Sequence, residues 1–173
     1  VSATPDTPIV AEGLSKVGLT VQVSTKLNRS HLVTGEAALI LPCLGRTEFD
    51  VQDGLPQFVT VENSMGVVHQ SQGRLKPASD QLKSEVSIVS NIAYSLFGDD
   101  TIKWSKFPQN YDLIRELISE SINGFDDYNA RVRKPGGFYL PNPPRDKRTF
   151  HTPNKKANFM INSLPNLTIP QEK

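Results

Sequence analysis

The segment Glu36–Glu62, EAALILPCLGRTEFDVQDGLPQFVTVE, constrains the fold more than any other part of the chain. Its apolar run Ala37–Leu41 reads as a buried strand that stops at Pro42-Cys43. A loop follows that carries Glu48, Asp50, Asp53 and Gly54, and a second alternating run starts at Gln57. A strand that ends in proline and opens into a polar loop delivers that loop to the carboxyl edge of an α/β sheet, where ligands bind.

The surrounding sequence fits this reading. Thr7-Pro8 marks a helix start, with Thr7 as N-cap and Pro8 in the first turn. Ile9, Val10, Leu14 and Val17 share one face before Gly18. Leu19–Ser24 (LTVQVS) reads as a strand, and Lys26–Gly35 as a polar connector holding at most one helical turn. Helix, strand, connector and strand with short links predict parallel strands in an open α/β sheet. Phe58–Val68 is broken at Asn63-Ser64 and reads as two short strands or an extended loop. Ser84 caps a helix that ends at Gly98, with Val86, Val89, Ile92, Ala93, Leu96 and Phe97 as its expected core face. A second helix covers Tyr111–Ile122, and a short helical piece falls within Phe125–Val132. Arg133-Lys134-Pro135-Gly136-Gly137 ends it, and Gly136-Gly137 reads as a turn.

Residues 1–134 therefore form an α/β region, and 135–173 a proline-rich extended arm, which holds 7 of the 13 prolines. The core is expected within the first 125 residues. A chain that starts without Met in loop-like sequence reads as a piece of a longer protein. The single cysteine, Cys43, excludes an internal disulfide framework and suits a cytoplasmic protein. No apolar stretch reaches the length of a membrane-spanning helix. A net charge of +1 gives no global attraction to nucleic acid or membrane.

No metal-binding spacing is present: His31, His69 and His151 stand apart, and there is no CxxC or HxxxH. Cys43 reads as a small residue at a strand end, and the loop acids as solvated groups, ligands of a nucleotide, or supports for a neighbouring loop. The connector Thr25-Lys26-Leu27-Asn28-Arg29-Ser30-His31 is the stronger candidate. It follows the first strand directly, and its hydroxyls, amide, imidazole and cations suit ribose, base edge and phosphate. The stretch from Arg131 to Lys156 holds eight Lys/Arg and one acid, Asp146. Its prolines argue for a solvated face or a contact to other protein rather than a nucleic-acid surface.

Several segments in order resemble the alpha subunit of molybdopterin oxidoreductases, in the formate-dehydrogenase-like branch. They are GLTVQVSTKLNRSHLVTGEAALILPCLGRTE, QFVTVENSMGVVHQSQGRLKPAS, LKSEVSIVSNIAYSLFG and DDYNARVRKPGGFYLPNPPRDKRTFHT. The resemblance implies an α/β region holding half of a molybdopterin guanine dinucleotide that carries Mo or W. The arm would lead to a barrel domain outside these residues, and any iron–sulfur cluster would also lie outside them. Implied cofactor contacts are Ser24, Thr25, Lys26, Asn28, Ser30, His31, Glu48 and Asn63, with no catalytic residue and no metal ligand in this segment. Val23 stands where the family carries an acid, which brings Ser24, Thr25 or Asn28 forward as the guanine contact. The implied partners are the other domains of a parent chain and a small substrate such as formate. The competing reading is a stand-alone α/β module that binds a nucleotide or a protein.

Overall fold

The structure is a computed structural model that describes residues 3–52 and 54–164. It is α/β, with small sheets and short helices, and it divides into Val1–Leu140 and Pro141–Lys173.

The first unit opens with helix α1 (Thr7–Ser15). Its cap is Asp6 rather than Thr7, and the Asp6 carboxylate accepts from the Ile9 N–H at 3.2 Å. The acid suits this place because a carboxylate meets both the open N–H and the positive end of the helix dipole. Strands β1 (Leu19–Ser24) and β2 (Ala37–Pro42) then pair in parallel from Leu19↔Ala37 to Ser24↔Pro42. The connector between them holds one 3₁₀ turn, Arg29–Leu32. The pairing is as expected, but the burial is not. In this register Leu19, Val21, Val23, Ala37, Leu39 and Leu41 share one face, and Leu19, Val21 and Leu39 are all exposed. Parallel sheets normally have both faces covered, and in these residues β1 and β2 form a sheet of two strands.

Beyond β2 the backbone continues as Cys43, which bridges to Lys83, and the Leu44 N–H donates to the Lys83 carbonyl at 2.9 Å. Short strands β3 (Val51–Gln52) and β4 (Leu55–Pro56) pair antiparallel. Asp53 lies outside the described residues. The broken run after Gln57 resolves into a hairpin of β5 (Val59–Glu62) and β6 (Val67–Ser71). Asn63 closes its turn by accepting from the N–H groups of Met65 (2.9 Å) and Val67 (3.2 Å).

Helix α2 (Glu85–Phe97) has the foreseen caps: Ser84 Oγ accepts from the Ser87 N–H, and Gly98 ends it at φ 65°. Its face is a correction. The buried side is Ser87, Ile88, Ser90 and Ala93, whereas Val89, Ile92, Leu96 and Phe97 are exposed. Apolar periodicity locates a stripe but does not say which covering it meets.

Helices α3 (Asp112–Ser121) and α4 (Tyr128–Val132) follow, then β7 (Phe138–Tyr139), which pairs with β6. Gly136 and Gly137 make the tight turn before β7, both at positive φ. The main core lies here: Val68, Tyr128, Val132 and Phe138 are buried, with Phe58, Ile118, Phe125 and Leu140 packed around them. The Tyr128 and Phe138 rings meet edge-on at 5.7 Å, and the Tyr128 hydroxyl bonds Thr60 Oγ1 at 2.6 Å. The expectation that the first 125 residues carry the core is corrected in part: Cys43, Val68, Ile88, Ala93, Phe107 and Tyr111 are buried within them, but Tyr128, Val132 and Phe138, which close the packed cluster, lie beyond. An aromatic packed against the central strand of a three-stranded sheet buries more apolar area than the exposed α1 and β1–β2 can.

The second unit has one helical turn, α5 (Pro143–Lys147). Asn142 Oδ1 accepts from the Arg145 N–H at 3.1 Å, and Asp146 Oδ2 accepts from the Asn142 N–H at 2.9 Å. Thr149–Thr152 and Ala157–Ile161, within the arm expected to be extended, form no strand pairs.

The exposed stripe on α2 and the open face of β1–β2 make a direct prediction. The 173-residue chain on its own should bind a hydrophobic dye or self-associate, because contiguous apolar patches seek cover. Replacing both Leu39 and Leu96 with Lys should lower dye fluorescence without lowering the melting temperature. Unchanged fluorescence would place the dye elsewhere.

Candidate functional site

A cleft of about 510 Å³ lies where the carboxyl ends of β1 and β2, strand β5 and the start of α2 converge. Thr25 follows β1, Leu44-Gly45-Arg46 follow β2, and Ser84, Glu85 and Val86 bring the first turn of α2. Phe58, Val59, Thr60 and Val61 form one wall, and Ser71, Gln72 and Gly73 complete the lining. The location is the strand-end edge foreseen from the Pro42 stop, and its size falls among small-molecule sites, which span about 300–1,000 Å³.

Two hydrogen-bond systems shape it. Glu48 accepts from the backbone N–H of Gly45 with Oε2, and from that of Ala78 with Oε1 at 2.8 Å. Those two N–H groups hold its carboxyl below the usual carboxylate range. Glu48 thus ties the loop after β2 to the 72–78 segment, where the Arg74 and Leu75 N–H groups donate to the Thr47 carbonyl at 2.8 and 2.9 Å. The second system is a buried relay. The Tyr111 hydroxyl donates to Asp50 Oδ2 at 2.5 Å and meets Ser84 Oγ, which accepts from the Ser87 N–H. Burial first, and then the Asp50 carboxylate, raise the Tyr111 phenol well above its ordinary pKa. Buried Gln57 adds its own bonds, accepting from the Tyr111 N–H at 3.1 Å and donating to the Gln109 carbonyl at 3.3 Å. A polar network satisfied in this way fixes the angle of α2 against the loop.

Of the implied cofactor contacts the cleft takes Thr25 and Glu48, and of the loop acids also Asp50. The rest of the connector is held by bonds of its own and by the Gln22 side chain, which donates to the Ser30 carbonyl at 3.1 Å. Ser24 Oγ donates to the Lys26 carbonyl at 2.9 Å, Asn28 Oδ1 accepts from the Ser30 N–H at 2.9 Å, and His31 Nδ1 accepts from the Asn28 N–H at 3.0 Å. His31 Nε2 is buried and has no hydrogen-bond partner among the described residues. A buried polar atom without a partner is a place where a bound group or an ordered water would restore a bond. Asn63 lies in a separate concavity, with Val67, His69 and Val132. Cys43 is buried, and burial followed by the charges of Glu85 and Glu48 pushes its thiol up, which disfavours a thiolate nucleophile.

Arg46, Ser71 and Gln72 escaped the sequence reading. The Arg46 Nε–H donates to Ser71 Oγ at 2.9 Å, and Gln72 Nε2 donates to the Gln57 carbonyl at 3.1 Å. The one available signal was a Gly-Arg pair just past a strand end; the return of β6 that supplies Ser71 is not visible locally.

The chain is 53% identical over 170 residues to the uncharacterized oxidoreductase Rv2900c of Mycobacterium tuberculosis, and equally to the uncharacterized oxidoreductase Mb2924c of Mycobacterium bovis. It is 46% identical over 158 residues to protein YdeP of Escherichia coli K12. These alignments cover 98% and 91% of this chain, but only 22% and 21% of the relatives. The chain thus matches about a fifth of larger proteins, some of which carry the name oxidoreductase. No protein-family profile matches it, and no solved structure matches it. Among the described residues, no helix is long and apolar enough to cross a membrane.

Proposed function

We propose that these residues are a cofactor-holding segment of a larger oxidoreductase, and that the cofactor is a molybdopterin guanine dinucleotide. The observation that carries the reading is the cleft at the carboxyl ends of parallel β1 and β2, in a chain whose matched relatives include proteins named oxidoreductase. The residues present fit a dinucleotide. An apolar wall (Phe58, Val59, Val61) shares the cleft with hydroxyl, amide and guanidinium donors from Thr25, Gln72 and Arg46.

When bound, the cofactor supplies the two-electron chemistry at its metal. The protein's part in this segment is positioning. Thr25, Arg46 and Gln72 hold the polar end of the dinucleotide, and Phe58 and Val59 exclude water from one side. The Asp50–Tyr111–Ser84 relay keeps the opening of α2 fixed while the ligand is held. No group of three His, Cys, Asp or Glu side chains converges among the described residues. On this reading the metal takes its ligands from the cofactor and from other parts of the parent chain. Formate is the substrate to screen first.

Molybdenum and tungsten per chain, measured on the natural polypeptide purified without oxygen, test the proposal. Near-stoichiometric metal is expected. A metal-free natural protein would overturn it and leave the nucleotide- or protein-binding module in front.

A further inference from the structure

The charged residues lining the cleft are Arg46, Glu48, Asp50 and Glu85, and their commitments differ. Glu48 uses both oxygens on the N–H groups of Gly45 and Ala78. Asp50 uses one oxygen on Tyr111 and the other on Gln52 Nε2, at 2.7 Å. Arg46 is exposed and donates through Nε alone, to Ser71 Oγ; its two terminal nitrogens have no partner among the described residues. A guanidinium anchored at Nε keeps its plane and offers the remaining N–H groups as a fork, the geometry that takes two oxygens of a phosphate at once.

We infer that Arg46, oriented by Ser71, is the subsite for the diphosphate of a nucleotide ligand. The inference rests on the dinucleotide reading of the cleft and assigns the residue that recognises its charge. A phosphate-bearing ligand suits the surroundings better than a simple anion. The fork shares one cleft with the apolar wall of Phe58, Val59 and Val61, which a free anion leaves uncovered and a nucleoside covers. Glu85 is exposed in the first turn of α2 and opposes any anion in the cleft. The two residues therefore give opposite signs in a test.

The experiment is calorimetric titration of inorganic pyrophosphate and of guanosine diphosphate into the natural polypeptide, prepared from cells unable to make the cofactor. Both should bind, the nucleotide more tightly. Arg46→Gln should weaken both by about ten-fold or more, the usual worth of a charged hydrogen bond. Glu85→Gln should tighten both, and Arg46→Lys should recover only part of the loss because a lysine has no fork. Unchanged melting temperatures establish that the variants are folded. A pyrophosphate affinity within two-fold of wild type in Arg46→Gln would overturn the subsite, and equal affinity for the two ligands would overturn the nucleotide assignment. Stoichiometric metal without an Arg46 effect would remove this subsite alone. An Arg46 effect in a protein without molybdenum or tungsten would remove the parent reading and leave the subsite.

Discussion

Gly73→Ala is expected to lower stability by about 3–4 kcal/mol and to disorder the cleft, because overpacking against backbone has no cheap relaxation. Gly73 is buried, and a Cβ built on it falls 1.9 Å from the Glu48 carbonyl oxygen, 2.4 Å from its carbon and 2.5 Å from its nitrogen. All three are backbone atoms, so no side-chain rotation gives room. The strands of chain on either side are also tied. The Arg74 and Leu75 N–H groups donate to the Thr47 carbonyl, and the Phe49 N–H donates to the Leu75 carbonyl at 2.8 Å. Opening the gap by more than an ångström breaks these bonds, each worth about 1 kcal/mol. It also pulls Glu48 away from Ala78. Gly13→Ala is the internal control. It sits in α1 with nothing within 4 Å of its added Cβ, and alanine there should stabilise by up to about 1 kcal/mol through helix propensity. Thermal melting of the two variants should therefore move in opposite directions, with Gly73→Ala falling by about 10 °C. A Gly73→Ala protein that melts with wild type would mean that the two segments are not in backbone contact.

How much of this was legible follows from the range of each interaction. The β1–β2 pair, the Ser84 cap and the Gly98 stop depend on neighbours or on a short connection, and all were readable. So was the strand-end position of the cleft, since Pro42 and the polar loop after it are contiguous in sequence. The outward face of α2 was misread because Val89, Ile92, Leu96 and Phe97 form the more apolar stripe, while the buried side of the helix is Ser87, Ile88, Ser90 and Ala93. A helix that buries Ser87 and Ser90 and shows Val89, Ile92, Leu96 and Phe97 is patterned for a second layer, which accords with a match to about a fifth of a larger protein. Arg46 and Ser71, 25 positions apart, meet only because β6 returns alongside the loop after β2. The part of the core beyond residue 125 escaped for the same reason: Val68, Tyr128 and Phe138 are brought together by the third strand, and β7 is only two residues long.

Arg115 is the clearest case of a residue that looks like surface charge and acts as core, and its loss should be the second large effect. It is 4% exposed. Its Nε donates to Asn129 Oδ1 at 2.7 Å, one terminal nitrogen to the Phe58 carbonyl at 3.0 Å, and the other to Asp112 Oδ1. Its guanidinium lies 4.0 Å from the centre of the Phe58 ring. Asp112 also receives Arg133 at 2.6 Å. Arg115→Met keeps the stem and the packing on Phe58 but leaves the Phe58 carbonyl without a donor, and the Asn129 amide oxygen and the Asp112 carboxylate with Arg133 as their remaining guanidinium partner, so a loss of about 2–3 kcal/mol is expected. Arg115→Lys should recover little, since an ammonium cannot serve three acceptors in one plane. The pH dependence follows from Asp112. Burial works to raise its carboxyl, but the hydrogen bonds and charges of Arg133 and Arg115 outweigh it and leave the pKa depressed. A depressed carboxylate contributes stability that is present above its unfolded pKa of about 4 and is lost as pH falls through the lower folded value. Wild-type melting temperature should therefore fall below about pH 4, and that acid limb should be shallower in Asp112→Asn, which gives up the contribution at every pH. A melting profile with the same acid limb in both proteins would remove Asp112 as its source. Since the Phe58 that Arg115 holds is also a wall of the cleft, Arg115→Met should weaken nucleotide binding as well as the fold, whereas Arg46→Gln should weaken binding alone.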